Sequence, residues 1–99
     1  MYKLVAIYRQ PDDVEEFDEH YFNIHSPLME ALPGYDRVEV SRVTRSLMGN
    51  KELYLMFEMW FPDKETMRNA LKSPENQEAG QDLMEFAGDL VSVFTAEVV

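Results

Sequence analysis

Residues 52–61 read Glu-Leu-Tyr-Leu-Met-Phe-Glu-Met-Trp-Phe. A strand turns successive side chains to opposite faces. Leu53, Leu55, Phe57, Met59 and Phe61 therefore form one face, and Tyr54, Met56, Glu58 and Trp60 the other. Both sets are apolar apart from Glu58, whereas a strand with one wet face alternates apolar with polar residues. Lys3 to Arg9 repeats the pattern, with Val5 and Ile7 on one side and Leu4, Ala6 and Tyr8 on the other. Two strands, each covered on both faces, set the problem the fold has to solve.

Working outward, Pro11-Asp12-Asp13 ends the first strand and offers a helix N-cap. Val14, Phe17, Tyr21, Ile24 and Leu28 follow at steps of three and four, one apolar stripe of a helix. Ser26-Pro27 interrupts it and predicts a new short helical turn, and Leu32-Pro33-Gly34 closes the unit. Tyr35 to Met48 reads as the second strand. Val38 and Val40 alternate, but the next apolar residue is Val43, a phase slip that predicts a bulge or bend. Gly49-Asn50 predicts a hairpin into the strand at 52–61. Pro62-Asp63 opens a helix with Met67, Ala70 and Leu71 on one side, and Ser73-Pro74 restarts one with the stripe Ala79, Leu83, Phe86 and Leu90. Asp89 to Val99 is the last strand, with Phe94, Ala96 and Val98 on one face.

The order is βαββαβ, the split-βαβ or ferredoxin-like arrangement of an α+β fold with a four-stranded antiparallel sheet. Two helical units cover one face of such a sheet. The second face needs another cover, and a second copy of the same sheet is the simplest, giving a two-fold homodimer joined through sheet faces. Curved sheets packed in this way enclose an inter-sheet cavity.

Composition narrows the function classes. The 99 residues fit one domain, 1–99. Nine Lys+Arg against 19 Asp+Glu give a net charge of −10, which disfavours a nucleic-acid partner. No cysteine is present, so disulfides and thiolate metal sites are excluded. The N-terminus lacks the pattern of a signal peptide and no run suits a membrane span, so a cytoplasmic chain with no membrane partner is expected. Residues 12–30 and 75–89 hold many acids and no Lys or Arg, the pattern of solvated helix backs, with a metal or cationic-partner surface as the sharper alternative.

Few residues can carry chemistry. The four glycines are scattered, so no phosphate-cradling loop exists. His25 sits at the Ser26-Pro27 break, where it either satisfies the helix end or faces the cavity as a general acid or base near pH 7. His20 lies one turn after Glu16, but further metal ligands are not evident, and five residues of α-helix point His20 and His25 to different faces; no metal is expected. Glu58 either becomes a proton carrier in an apolar setting, pairs with Arg37, Arg42 or Arg45 across the strand, or is simply exposed near a sheet edge. Trp60, Phe94, Tyr21 and Met56 are core, interface or ligand-contacting residues.

Lys3-Leu4-Val5-Ala6-Ile7-Tyr8-Arg9 followed by Pro11 resembles the opening of the EthD family. His25-Ser26-Pro27-Leu28 with Leu32-Pro33-Gly34 resembles that family's His-x-Pro-Leu…Leu-Pro-Gly signature, and Tyr21 stands where the family has an aromatic before the histidine. The resemblance implies a dimeric α+β barrel and a small-molecule setting. The family takes its name from a protein required for degrading an ether fuel additive alongside a cytochrome P450 system. Similar barrels include polyketide cyclases and dehydratases, muconolactone isomerases and small monooxygenases. The family's motif histidine corresponds to His25. The expected protein binds a small apolar or aromatic metabolite and, as an enzyme, performs cofactor-free isomerisation, cyclisation, dehydration or oxygenation. In that reading His25 moves the proton, Tyr8 and Glu58 orient an oxygen, and Trp60, Phe94, Tyr21 and Met56 contact the ligand. The alternative is a non-catalytic carrier or accessory protein supporting a partner oxygenase. Haem binding, as in haem-degrading relatives, is disfavoured because no histidine lies in the second half of the chain.

Overall fold

The computed structural model describes residues 1–99. Strand β1 (Tyr2–Arg9) leads into α1 (Val14–His20), a π-helical turn (Tyr21–His25) and α2 (Ser26–Glu30). Strands β2 (Arg37–Arg42) and β3 (Leu53–Phe61) follow, then α3 (Lys64–Leu71), α4 (Pro74–Ala87) and β4 (Val91–Glu97). The sheet has the order β2-β3-β1-β4, and each neighbouring pair is antiparallel. This is the ferredoxin-like α+β arrangement that the apolar central strands predict.

Helix starts are set by side-chain caps. Asp13 accepts from the Glu16 N–H at 3.0 Å, Asp63 from Thr66 at 2.8 Å and Ser73 from Asn76 at 3.1 Å. Each satisfies an N–H that the helix leaves free, a contribution of about 1 kcal/mol. The Thr66 N–H bond also holds the Asp63 carboxyl below its ordinary pKa. Ser26 plays no such part. Its backbone is helical, and its N–H donates to the Tyr21 carbonyl five residues back. The helix therefore runs on through Ser26-Pro27, widened by one residue, instead of stopping and restarting. Pro27 has no N–H to give and crowds the carbonyl four residues earlier, so a widened turn is a way through.

Widening changes which residues face inward. Phe17, Tyr21, His25, Met29 and Leu32 are buried, at spacings of four, four, four and three, while Ile24 is 48% exposed. His25 thus occupies the position that a regular helix assigns to Ile24.

One sheet face packs on the helices. Register pairs Leu4 with Met59, Ala6 with Phe57 and Tyr8 with Leu55, and all six side chains belong to the core. Burying each of the larger ones contributes about 1.5–3 kcal/mol. The opposite face carries Lys3, Val5 and Ile7 from β1, Met56, Glu58 and Trp60 from β3, and Ser92, Phe94 and Ala96 from β4. No helix covers it. Its apolar strip is bordered by charge: Lys3 bonds Glu58 at 2.8 Å, and the Arg37 guanidinium lies 4.1 Å from the Trp60 ring centre.

Two details of β2 and β3 differ from expectation. Strand β2 is shorter than the stretch 35–48 and pairs regularly from Arg37 to Arg42. The irregularity lies in β3, where Tyr8 pairs with Leu55 but Arg9 with Leu53, leaving Tyr54 over. The bulge turns Tyr54 towards the helices. Its ring meets Phe17 edge-on at 5.7 Å and its hydroxyl donates to Asp18 at 2.7 Å. No helix is long and apolar enough to cross a membrane.

Candidate functional site

The π turn and α4 together build one polar centre inside the helix layer. His25 Nδ1 lies 3.0 Å from Asp82 Oδ2, and His20 Nε2 lies 2.8 Å from Asp82 Oδ1. In a straight α-helix residues five apart sit about 140° apart around the axis and cannot share a partner on one neighbour. The widened turn stacks them, so both rings reach the same carboxylate on α4. The expectation that His20 and His25 face apart fails for this reason. Phe86 is wedged against both rings, 4.3 Å from His20 and 5.1 Å from His25 between ring centres.

The two histidines differ in exposure. The His25 side chain is 3% exposed and that of His20 is 30% exposed. Burial pushes the His25 pKa below its ordinary value of 6.5, and the hydrogen bond and charge of Asp82 oppose but do not cancel that effect. The ring is therefore neutral at pH 7. A carboxylate only accepts, so the proton of the neutral ring sits on Nδ1 and Nε2 carries a lone pair.

His25 lines a small cavity between the helices and the sheet, with a volume near 100 Å³. Its other walls include Leu4, Ala6, Tyr8, Met29, Phe57 and Leu71, with Asn76 among the few polar groups and half-exposed Val93 on the β4 side. Tyr8 is 1% exposed, yet its hydroxyl donates to no side chain or carbonyl, and no buried polar side-chain atom is both sealed and unpaired. That hydroxyl therefore retains contact with open space. Burial first, then the neighbouring Tyr21 ring and Asp82, drive the Tyr8 pKa far above 10. Burial does the same to Tyr21. Both phenols stay protonated and can donate at any working pH.

The residues singled out from sequence divide between the two sheet faces. His25, Tyr8 and Tyr21 come together on the helix side. Glu58, Met56, Trp60 and Phe94 stand on the open face, with Glu58 tied to Lys3 and not to Arg37, Arg42 or Arg45. The sheet separates Glu58 from His25, so the two cannot serve one ligand within a protomer, and the cavity that His25 lines lies under the helices. Asp82 escaped the sequence reading, hidden in an acidic run. Its position was informative: it lies three residues after Ala79 and four before Phe86, within the apolar stripe of α4.

A larger, open groove of about 480 Å³ lies on the outer side of His20, lined by Asp12, Asp13, Glu16 and Glu85 with Phe17, Phe86 and Leu90. Its openness and acidic walls suit solvent better than an apolar ligand. No group of three or more His, Asp or Glu side chains is arranged to hold a metal ion.

The EthD domain family matches residues 9–89, which include the π turn, His25 and Asp82. An uncharacterized 11.0 kDa protein in the thcB-thcC intergenic region of Rhodococcus erythropolis is 35% identical over 99 residues, covering 98% of this chain and 95% of that one. The crystal structure of an EthD family protein from Bacillus halodurans C-125 superposes with a TM-score of 0.93 at 42% identity, over 100% of this chain and 99% of that one. A dimeric ferredoxin-like protein of unknown function from Jannaschia sp. CCS1 superposes with a TM-score of 0.68 at 21% identity, over 98% and 97% of the two chains, and shares the fold. The chain belongs to the EthD family.

Proposed function

We propose that the chain forms a homodimer through its open sheet face and that each protomer binds a small, largely apolar molecule beside His25, moving a proton on it without a cofactor. The observation that carries this reading is buried His25, held by Asp82, at the wall of a largely apolar cavity. Asp82 fixes the ring and its tautomer, and the free Nε2 is a base that takes a proton from an acidic C–H or O–H. Returned to another atom of the same molecule, that proton completes an isomerisation or a cyclisation. Delivered to a leaving hydroxyl, it completes a dehydration with release of water. The Tyr8 hydroxyl donates a hydrogen bond to the carbonyl or hydroxyl that gains charge, the usual way a site stabilises an oxyanion. Tyr21 supports the His25 ring, 5.8 Å away between centres.

At about 100 Å³ the cavity holds roughly three waters' worth of volume, well below the several hundred Å³ of most ligand pockets. A ligand of more than a few atoms must displace side chains. Met29 and Leu71 are the adaptable walls, and the thinly covered β4 side is the natural entrance.

The dimer is supported by the sheet face that carries no helix, where Phe94 is 46% exposed and Ile7 and Met56 are half-buried, and by the dimeric state of the Jannaschia protein of the same fold.

Native mass spectrometry of the protein purified from its natural cell tests the reading. It should give about twice the chain mass plus a retained small molecule. His25→Gln should keep that molecule bound while abolishing its turnover. Binding with turnover unchanged in His25→Gln refutes the proton-transfer role, and a molecule retained but never turned over identifies a carrier.

A further inference from the structure

We infer that His20 acts as a positioning residue for the inner base: by sharing Asp82 with His25, it sets how strongly that carboxylate holds the proton-bearing form of the buried ring. The geometry is specific. One carboxylate spends one oxygen on each imidazole, at 2.8 Å to the outer ring and 3.0 Å to the inner one. The outer ring opens onto the acidic groove, and the inner ring onto the apolar cavity. Phe86 fills the space between, touching both, so the two rings and the carboxylate form one packed unit.

The coupling follows from charge. With His20 neutral, the full negative charge of Asp82 faces His25 and stabilises an imidazolium there. With His20 protonated, Asp82 already has a cation on its other oxygen, and a second cation on His25 is disfavoured. The repulsion between His20 and His25 acts in the same direction on the inner ring. Protonation of either ring therefore opposes protonation of the other, and the effect is reciprocal. The remaining titratable groups around the unit are Tyr8 from β1, Tyr21 from the π turn, Asp12 and Asp13 from the loop before α1, Glu16 and Glu19 from α1, and Glu85 from α4. None of these is a Lys or Arg, and His20 is the group that bonds the other oxygen of Asp82. With His20 protonated the inner ring is a weaker base than with His20 neutral.

This inference rests on the proposed role of His25 only for its meaning in turnover; the coupling itself is read without any ligand. The experiment is a histidine-resolved NMR titration from pH 8.5 to 4.5 of the intact protein and of His20→Gln, which keeps a donor for Asp82 but removes the charge. In the wild type, the His25 ring signals should also move through the His20 transition. In His20→Gln that extra inflection should vanish, and the His25 midpoint should rise by at least about half a pH unit. Asp82→Asn supplies the control, lowering the His25 midpoint. Two independent single-site curves in the wild type overturn the inference without needing any variant to fold. An unmoved His25 midpoint in a folded His20→Gln does the same and leaves the His25–Asp82 pair intact. By contrast, unchanged turnover in His25→Gln removes the proton-transfer role and leaves the coupling standing.

Discussion

Replacing Asp82 by alanine removes the acceptor of two imidazoles at once. The two losses are unequal because exposure differs. His25 is 3% exposed, so no water takes over its Nδ1–H, and losing a hydrogen bond to a charged acceptor there costs about 1.5–3 kcal/mol. His20 is 30% exposed, water replaces its partner, and its share is about 1 kcal/mol or less. Asp82→Ala should therefore destabilise the fold by about 2–4 kcal/mol. For a chain of this size that corresponds to a fall in Tm of about 10–25 °C. Asp82→Asn keeps a carbonyl oxygen for the His25 proton and presents an NH2 to His20, so its cost should be about 1 kcal/mol. The assay is urea unfolding at pH 7.5, at one protein concentration because association shifts the midpoint. A loss below about 0.5 kcal/mol for Asp82→Ala, the range of an ordinary surface position, contradicts the placement of Asp82 as the buried ring's partner.

Stability should fall as the solution is acidified from pH 7 through the His25 range. The folded pKa of His25 is lowered by burial, so below the unfolded value of 6.5 the unfolded chain binds a proton that the folded chain refuses, at a slope of at most about 1.4 kcal/mol per pH unit until the folded pKa is reached. His25→Gln should flatten that part of the profile in pH-dependent urea unfolding, and an unchanged profile contradicts the assignment. Phe94→Asp places a charge on the open sheet face and should shift light scattering from twice the chain mass to one, with the His25 NMR signals unmoved; a persistent dimer removes that face from the interface. Gly34 has φ +83°, and a Cβ there would lie 2.6 Å from the Thr66 methyl, so Gly34→Ala should cost about 1–3 kcal/mol in urea unfolding. A cost near zero means that the turn after α2 relaxes freely.

The strands were legible because alternation over Lys3–Arg9 and Leu53–Phe61 leaves one consistent pairing with helices on one side. The helix breaks at Asp63 and Ser73 were legible because capping chemistry is local. The bulge was misplaced: the slip at Val43 marked the end of β2, whereas the true irregularity depends on Tyr54 finding Phe17 and Asp18, a contact between distant segments. The π turn had a signal that a helical period of 3.6 conceals. Phe17, Tyr21, His25 and Met29 recur every four residues, a period too long for a regular helix, and only a widened turn keeps them on one face. Asp82 was hidden because an acid among acids looks solvated until the histidines are brought to it. The partner of Glu58 was not legible: it pairs with Lys3 on the adjacent strand and not with an arginine of β2, because register is set between distant segments.

Proton transfer in the cavity requires that His25 offer an unprotonated Nε2 to it. Long-range proton–nitrogen NMR of the His25 ring at pH 7.5 measures this directly. The expected result is a neutral ring with its proton on Nδ1 and a bare nitrogen at Nε2. A ring protonated on Nε2 alone, or on both nitrogens, contradicts it.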